Sequence, residues 1–84
     1  MNKVTQETVD GLIKEISYLV TSSLKQTFCI ITMTNGFEIY GKAGIVDATN
    51  YNKTTGEIIA LAKAKDKIWE IAGYLLQEKL YKNK

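Results

Sequence analysis

The chain has 84 residues, of which 45% are hydrophobic and 24% are charged, and its formal net charge is +2. This composition predicts one small globular domain over residues 1–84, with no run of about 20 apolar residues for a membrane span. All basic residues are Lys, and the sequence has no His and one Cys. The missing Arg disfavours sequence-specific DNA reading, and the missing His excludes His-based catalysis and an all-protein zinc site. We therefore expect no metal and no cofactor.

The N-terminus predicts a cytoplasmic protein, because it lacks the apolar middle of a secretory signal. Cys29 is the single cysteine and cannot form an internal disulfide, which also favours a reducing compartment.

The first predicted element is an amphipathic helix over residues 5–24, with Thr5 as its N-cap. Gly11 weakens this helix without ending it. The apolar residues that recur there with helical spacing are Val9, Leu12, Ile13, Ile16, Leu19 and Val20.

Residues 27–46 predict a β-hairpin. The stretch TFCIITMT is rich in β-branched and aromatic residues, and Asn35-Gly36 indicates a two-residue turn in which both residues have positive φ. Such a turn places Phe37 opposite Thr34. The face predicted to enter the core carries Phe28, Ile30, Phe37 and Ile39. The other face is also partly apolar, with Met33 and Tyr40.

Residues 54–80 predict either one long helix or two helices broken between about Lys65 and Gly73. The main apolar stripe of this segment contains Ile58, Leu61, Ala62, Ile68, Trp69, Ala72, Leu76 and Leu80. Ala60, Ala64, Ile71 and Leu75 widen the apolar arc of the helix. The arc then exceeds the about 100° that a surface helix of a monomer needs. Together the three segments predict the α+β class.

The ordered pieces "TFCIITMTNGFEIYGKAGIVD" and "NYNKTTGEIIALAKAKDKIWEIAGYLL" resemble a small tailed-phage protein family, that of gene product 49 from one phage and gene product 66 from another. The matching positions are Thr27, Cys29, Asn35 to Phe37, Gly41, Asp47, Asn50, Tyr51, Gly56, Ile68, Trp69 and Gly73 to Leu76. Glu70 and Ala72 depart from the family pattern, which commonly has Pro and Glu at these positions.

The resemblance implies a phage accessory protein in the host cytoplasm, during infection or from a prophage, without implying an activity. By analogy with small phage proteins that neutralise host defences, we expect it to inhibit or sequester a host-defence component, either a protein or a small anionic nucleotide. The alternative is a nucleic-acid-associated protein that uses a weakly basic face with Lys63, Lys65 and Lys67. No Ser/His or Cys/His pairing points to an enzyme.

Two groups of residues are candidate binding sites. Lys63, Lys67 and Tyr74 lie opposite the main stripe, as a solvated face or as a contact for an anionic, stackable group. Asp47, Asn50 and Tyr51 lie in the polar connection, as turn and cap residues or as a loop site.

The surplus of apolar faces predicts a homo-oligomer, with a dimer as the first expectation. The candidate interface residues are Met33, Tyr40, Ile59 and Ile71.

Overall fold

A computed structural model describes residues 3–83. These residues form the helix α1 (Gln6–Gly11), the strands β1 (Ile13–Val20), β2 (Gln26–Met33) and β3 (Glu38–Gly44), a 3-10 turn (Ala48–Asn50) and the helix α2 (Lys53–Lys82). The strands make an antiparallel sheet in the order β1-β2-β3, and α2 packs against β2 and β3. The α+β class is therefore confirmed.

The predicted helix over residues 5–24 is wrong beyond its first turns. Thr5 caps α1 as expected, accepting a hydrogen bond from the Thr8 backbone N at 3.1 Å, but α1 ends at Gly11. From Ile13 the chain is extended over eight residues, and seven of them pair with β2. The apolar spacing here fits a helix and a strand alike, and the pairing with β2 favours the strand.

The predicted hairpin is confirmed, but its register is shifted by one residue. Met33 and Phe37 flank a three-residue loop, with the Met33 backbone N donating to the Phe37 carbonyl O at 2.7 Å. Gly36 has a φ of 90°, whereas Asn35 is not among the described residues with positive φ. The Gly36 backbone N donates to the Met33 carbonyl O at 2.9 Å, so the left-handed glycine closes a loop of three residues rather than two.

The core face of β2 is the opposite of the predicted one, because α2 packs on the side of Cys29, Ile31 and Met33. The register shift has a separate effect: it pairs Ile39 with Ile31, so Ile39 of β3 shares the core face. Thr27, Cys29, Ile31 and Met33 are buried, whereas Phe28 and Ile30 are only half-buried on the other side of the sheet. The predicted core positions of Phe28, Ile30 and Phe37 are therefore wrong, and Phe37 is 58% exposed.

The C-terminal segment is one continuous helix of 30 residues, which answers the question of one helix or two. Its start is fixed by Asn52, whose side chain accepts a hydrogen bond from the Thr55 backbone N at 2.9 Å. The buried residues of α2 recur every four positions and are Ala60, Ala64, Ile68 and Ala72. Ile58 and Trp69 of the predicted stripe are exposed instead.

The small residues of α2 allow the helix to approach the sheet very closely at Gly41. A Cβ atom on Gly41 would lie 2.3 Å from the Ala64 backbone N and 2.4 Å from the Ala60 carbonyl O. The core around this contact joins α1, the sheet and α2, and contains Val9, Cys29, Ile31, Met33, Ala60, Ala64 and Ile68. Because this core lies between α2 and one face of the sheet, no helix of residues 3–83 covers the opposite face.

Candidate functional site

The face of the sheet that points away from α2 carries a cluster of accessible apolar side chains. It is formed by Leu19 on β1, Phe28 and Ile30 on β2, and Tyr40 on β3, which together line a shallow depression. We call these four residues the open face. Leu19 is 59% exposed and Tyr40 is 50% exposed, because the core between α2 and the sheet lies on the other face.

The two aromatic rings of the open face contact each other across β2 and β3. Their centroids are 5.9 Å apart and their planes are tilted by 49°. Such pairs stabilise by about 0.5–1.5 kcal/mol beyond the area they bury. Glu38 and Lys42 flank Tyr40 along β3, two residues away on either side, so they share its face and give the apolar patch a charged border.

Lys67 of α2 reaches around the edge of the sheet to Tyr40. Its Nζ lies 4.1 Å from the centroid of the Tyr40 ring, and it donates a hydrogen bond to the Tyr40 carbonyl O. The first contact is a cation–π interaction and the second occupies a carbonyl at the edge of the sheet. Both contacts hold the aromatic ring of the open face in place.

The predicted helix face of Lys63, Lys67 and Tyr74 does lie on one side of α2, since these residues are spaced by four and seven positions. Lys67 is nevertheless engaged with Tyr40, and the Tyr74 hydroxyl donates to a carboxylate oxygen of Glu78 at 3.4 Å. Lys65, the third lysine of the alternative, pairs with Asp10 at 3.3 Å. Lys63 is exposed.

The loop residues Asp47, Asn50 and Tyr51 have structural roles. Asp47 caps the 3-10 turn by accepting hydrogen bonds from the Thr49 backbone N and side chain, which lower the pKa of its carboxyl group. Asn50 and Tyr51 line a small cleft beside the start of α2. At about 1.5 Å per residue, Lys63 lies roughly 15 Å along α2 from its first residue, Lys53, so the loop group and the helix group form no common site.

The predicted interface residues divide into two pairs. Met33 is 5% exposed and Ile71 is partly buried against the core, so both already pack within the chain, and their interface role stays a prediction. Tyr40 and Ile59 are accessible, with Tyr40 on the open face and Ile59 beside the cleft near the start of α2.

The remaining chemistry-bearing groups are packed or isolated. Cys29 is fully buried, and burial raises the pKa of its thiol, so the sulfur is protonated at neutral pH. Within residues 3–83, no three His, Cys, Asp or Glu side chains come close enough to hold a metal ion. None of the helices over the same residues is both long and apolar enough to cross a bilayer.

Leu19, Phe28 and Ile30 are functional candidates that sequence reasoning missed. The helical spacing predicts Leu19 in a helix, and the predicted core face of the hairpin contains Phe28 and Ile30. The run ISYLV over residues 16–20, with its β-branched and aromatic residues, is the signal that indicates a strand there.

The fold and its surface define a small α+β protein with a one-sided sheet and an apolar face open to contact. The chain belongs to the Phage protein (N4 Gp49/phage Sf6 gene 66) family, whose model matches residues 4–80. No curated protein and no solved structure matches it.

Proposed function

We propose that this phage protein acts without catalysis, by binding a host-defence protein through its open face, as a homo-oligomer in the host cytoplasm. The observation that carries the proposal is the exposure of Leu19 and Tyr40 beside Phe28 and Ile30 on an uncovered sheet. An apolar, aromatic centre with a charged border is the usual composition of a protein–protein contact. Exposed patches of this kind mark interaction sites in small proteins.

A protein partner fits this surface better than a small anionic nucleotide does. The open face offers apolar side chains and one aromatic pair, and its nearest cation, Lys67, is bonded to the Tyr40 carbonyl. An anionic ligand needs several free donors around its phosphates. Binding of a protein that buries the four open-face residues therefore has more support than binding of a nucleotide.

The nucleic-acid alternative rests on the lysines of α2, and the contacts of these lysines weaken it. Lys65 is paired with Asp10 and Lys67 with the Tyr40 carbonyl and ring. Asp66, Glu70 and Glu78 add negative charge to the same helix. A field so close to neutral gives little attraction for a polyanion.

The test is capture of host proteins by the immobilised protein, with mass spectrometry of the retained proteins and metabolites. The wild type should retain one host protein in a salt-tolerant manner. Tyr40→Glu places a charge in the open face and should abolish that capture, whereas Lys63→Ala on the helix should leave it unchanged. Equal capture by wild type and Tyr40→Glu would refute the open face as the binding surface.

The nucleic-acid alternative would instead be supported if the protein binds nucleic acid with an affinity that falls steeply as salt is added, and if Lys63→Ala abolishes that binding. Circular dichroism of each variant would verify that the substitution leaves the fold intact.

A further inference from the structure

The outer edge of β1 is a strand edge whose backbone hydrogen-bonding groups have no partner strand within residues 3–83. The Thr21 backbone N donates to the Gln26 carbonyl O at 3.0 Å, so the odd-numbered residues of β1 turn their backbone groups toward β2. Because hydrogen bonding alternates along an antiparallel pair, Ile16, Tyr18 and Val20 turn theirs outward. These groups form a ready template for another strand.

The two edges of the sheet differ in how they are protected. At β3, the outward Tyr40 carbonyl is occupied by Lys67, and the residues two positions away are the charged Glu38 and Lys42. At β1, protection is confined to the beginning of the strand. It comes from the register irregularity between Ile13 and Glu15 and from the charges of Lys14 and Glu15. Residues 16–20, with the sequence ISYLV, have no charge, no proline and no bulge. Natural sheets rarely leave such an edge unprotected.

We propose that β1 pairs in antiparallel fashion with β1 of a second copy of this chain, about a two-fold axis at Tyr18, and joins the two sheets into one of six strands. In this register Ile16 lies opposite Val20 of the second copy. The outward backbone groups of the two strands meet as about six hydrogen bonds, two for each facing pair. A two-fold axis makes the same edge serve both copies.

The charge distribution of β1 favours a second copy as the occupant. Lys14 and Glu15 both precede the uncharged run, so an antiparallel two-fold places them at opposite ends of the paired block. No like charges then face each other across the strands, and five uncharged residues of each copy pair with five of the other. A partner strand of unrelated sequence would have to match this block without such symmetry.

The side chains that flank this edge also match across the axis. On the α2 side of the sheet, Ile16 is 39% exposed and Val20 is 36% exposed, because α2 lies over β2 and β3 rather than over β1. Pairing about Tyr18 sets the exposed Ile16 of one copy against the exposed Val20 of the other, twice per dimer. Aliphatic cross-strand pairs of this type stabilise a sheet.

This inference rests on the homo-oligomer of the proposed function and assigns its geometry, and it leaves the open face available to a host partner. The double variant I16K/V20K places Lys opposite Lys at both symmetric positions. It should raise the Kd of the dimer at least about 100-fold, because two apolar pairs become two like-charge pairs. The variant I16K/V20E places Lys opposite Glu and should restore the dimer.

The measurement is sedimentation equilibrium at micromolar concentration, where one copy has a mass of 9.4 kDa and the dimer has about twice that. Amide hydrogen exchange supplies a second readout. In the wild type, the outward amides of Ile16, Tyr18 and Val20 should be protected. In I16K/V20K those of residues 16, 18 and 20 should exchange freely, while those of Ser17 and Leu19 stay bonded to β2 and protected.

A monomeric wild type, an I16K/V20K variant that remains dimeric, or a failure of I16K/V20E to recover the dimer would each overturn the assignment. The variant Tyr40→Glu separates this result from the proposed function, because it alters the open face on β3, at the other edge of the sheet from β1, and should leave the dimer mass unchanged. Loss of capture with an unchanged dimer mass would show that the open face binds the host protein independently of the β1 pairing. Capture by a monomeric protein would refute the β1 pairing and leave the open face as the binding surface.

Discussion

Gly41→Ala tests the contact that holds α2 against the sheet. Gly41 is buried on β3, and an added Cβ would meet backbone atoms of α2, the Ala64 N at 2.3 Å and the Ala60 O at 2.4 Å. Ordinary Cβ contacts begin near 3.4 Å. Because the obstructing atoms belong to the helix backbone, no side-chain rotation relieves the overlap, and α2 must move about 1 Å away from β3.

The expected cost follows from this displacement. A gap of about 1 Å removes a quarter to a half of the dispersion energy of the affected contacts, and those of Ala60, Ala64 and Ile68 are all affected. We expect a loss of about 3 kcal/mol or more in the free energy of unfolding, at the upper end for overpacked cores. In a domain of this size that loss lowers Tm by roughly 12–24 °C.

The assay is thermal and urea unfolding followed by circular dichroism, with Gly73→Ala as the matched control. A Cβ at Gly73 meets nothing within 4 Å, and this residue lies inside α2, so the same change should stabilise the protein by about 0.5–1 kcal/mol. The two Gly→Ala substitutions should thus shift Tm in opposite directions. A Tm for Gly41→Ala within about 2 °C of the wild type would refute the close helix–sheet contact.

The remaining predictions concern the turn, the buried thiol and the ion pair. Gly36→Val should lower stability by about 1–3 kcal/mol, because the φ of 90° is strained for a β-branched residue, and an unchanged urea midpoint would contradict this turn geometry. Cys29 should resist a thiol reagent in the native protein and react fully in denaturant; fast native labelling would show that the core opens readily. Burial raises the pKa of Cys29 above its ordinary value of 9.0 and that of Tyr18 above its ordinary value of 10.0. Well below pH 9, both groups are therefore fully protonated in the folded and in the unfolded state. Stability should therefore decline as pH rises above about 9, where the unfolded thiol ionises first, and the decline should be smaller in Cys29→Ala. A double-mutant cycle on Lys65 and Asp10 should give a coupling of at most about 1 kcal/mol, since both side chains are solvent-accessible, and a much larger value would mean that the pair is buried.

Several local features were predictable because neighbouring residues specify them. Thr5 accepts the hydrogen bond of a helix N-cap, and Gly36 adopts the left-handed conformation that glycine favours. The helical pattern after residue 53 predicted a helix there, with no proline to end it. Of the candidate site, Tyr40 was predictable as an exposed apolar residue on the second face of the hairpin.

What the sequence by itself determined was thus the α+β class, the hairpin, the capped helix start and the long C-terminal helical segment. The tertiary structure decided that residues 13–20 pair with β2, because a spacing that fits both a helix and a strand is resolved only by the partner it meets. It also decided the register of the hairpin, since one added loop residue pairs Ile39 with Ile31, and it decided that α2 covers the Cys29 and Ile31 face of β2 rather than the Phe28 and Ile30 face. The open face exists because α2 lies on the other side of the sheet, where Gly41 admits its backbone. That choice depends on contacts between residues about 20 positions apart, which local periodicity does not encode.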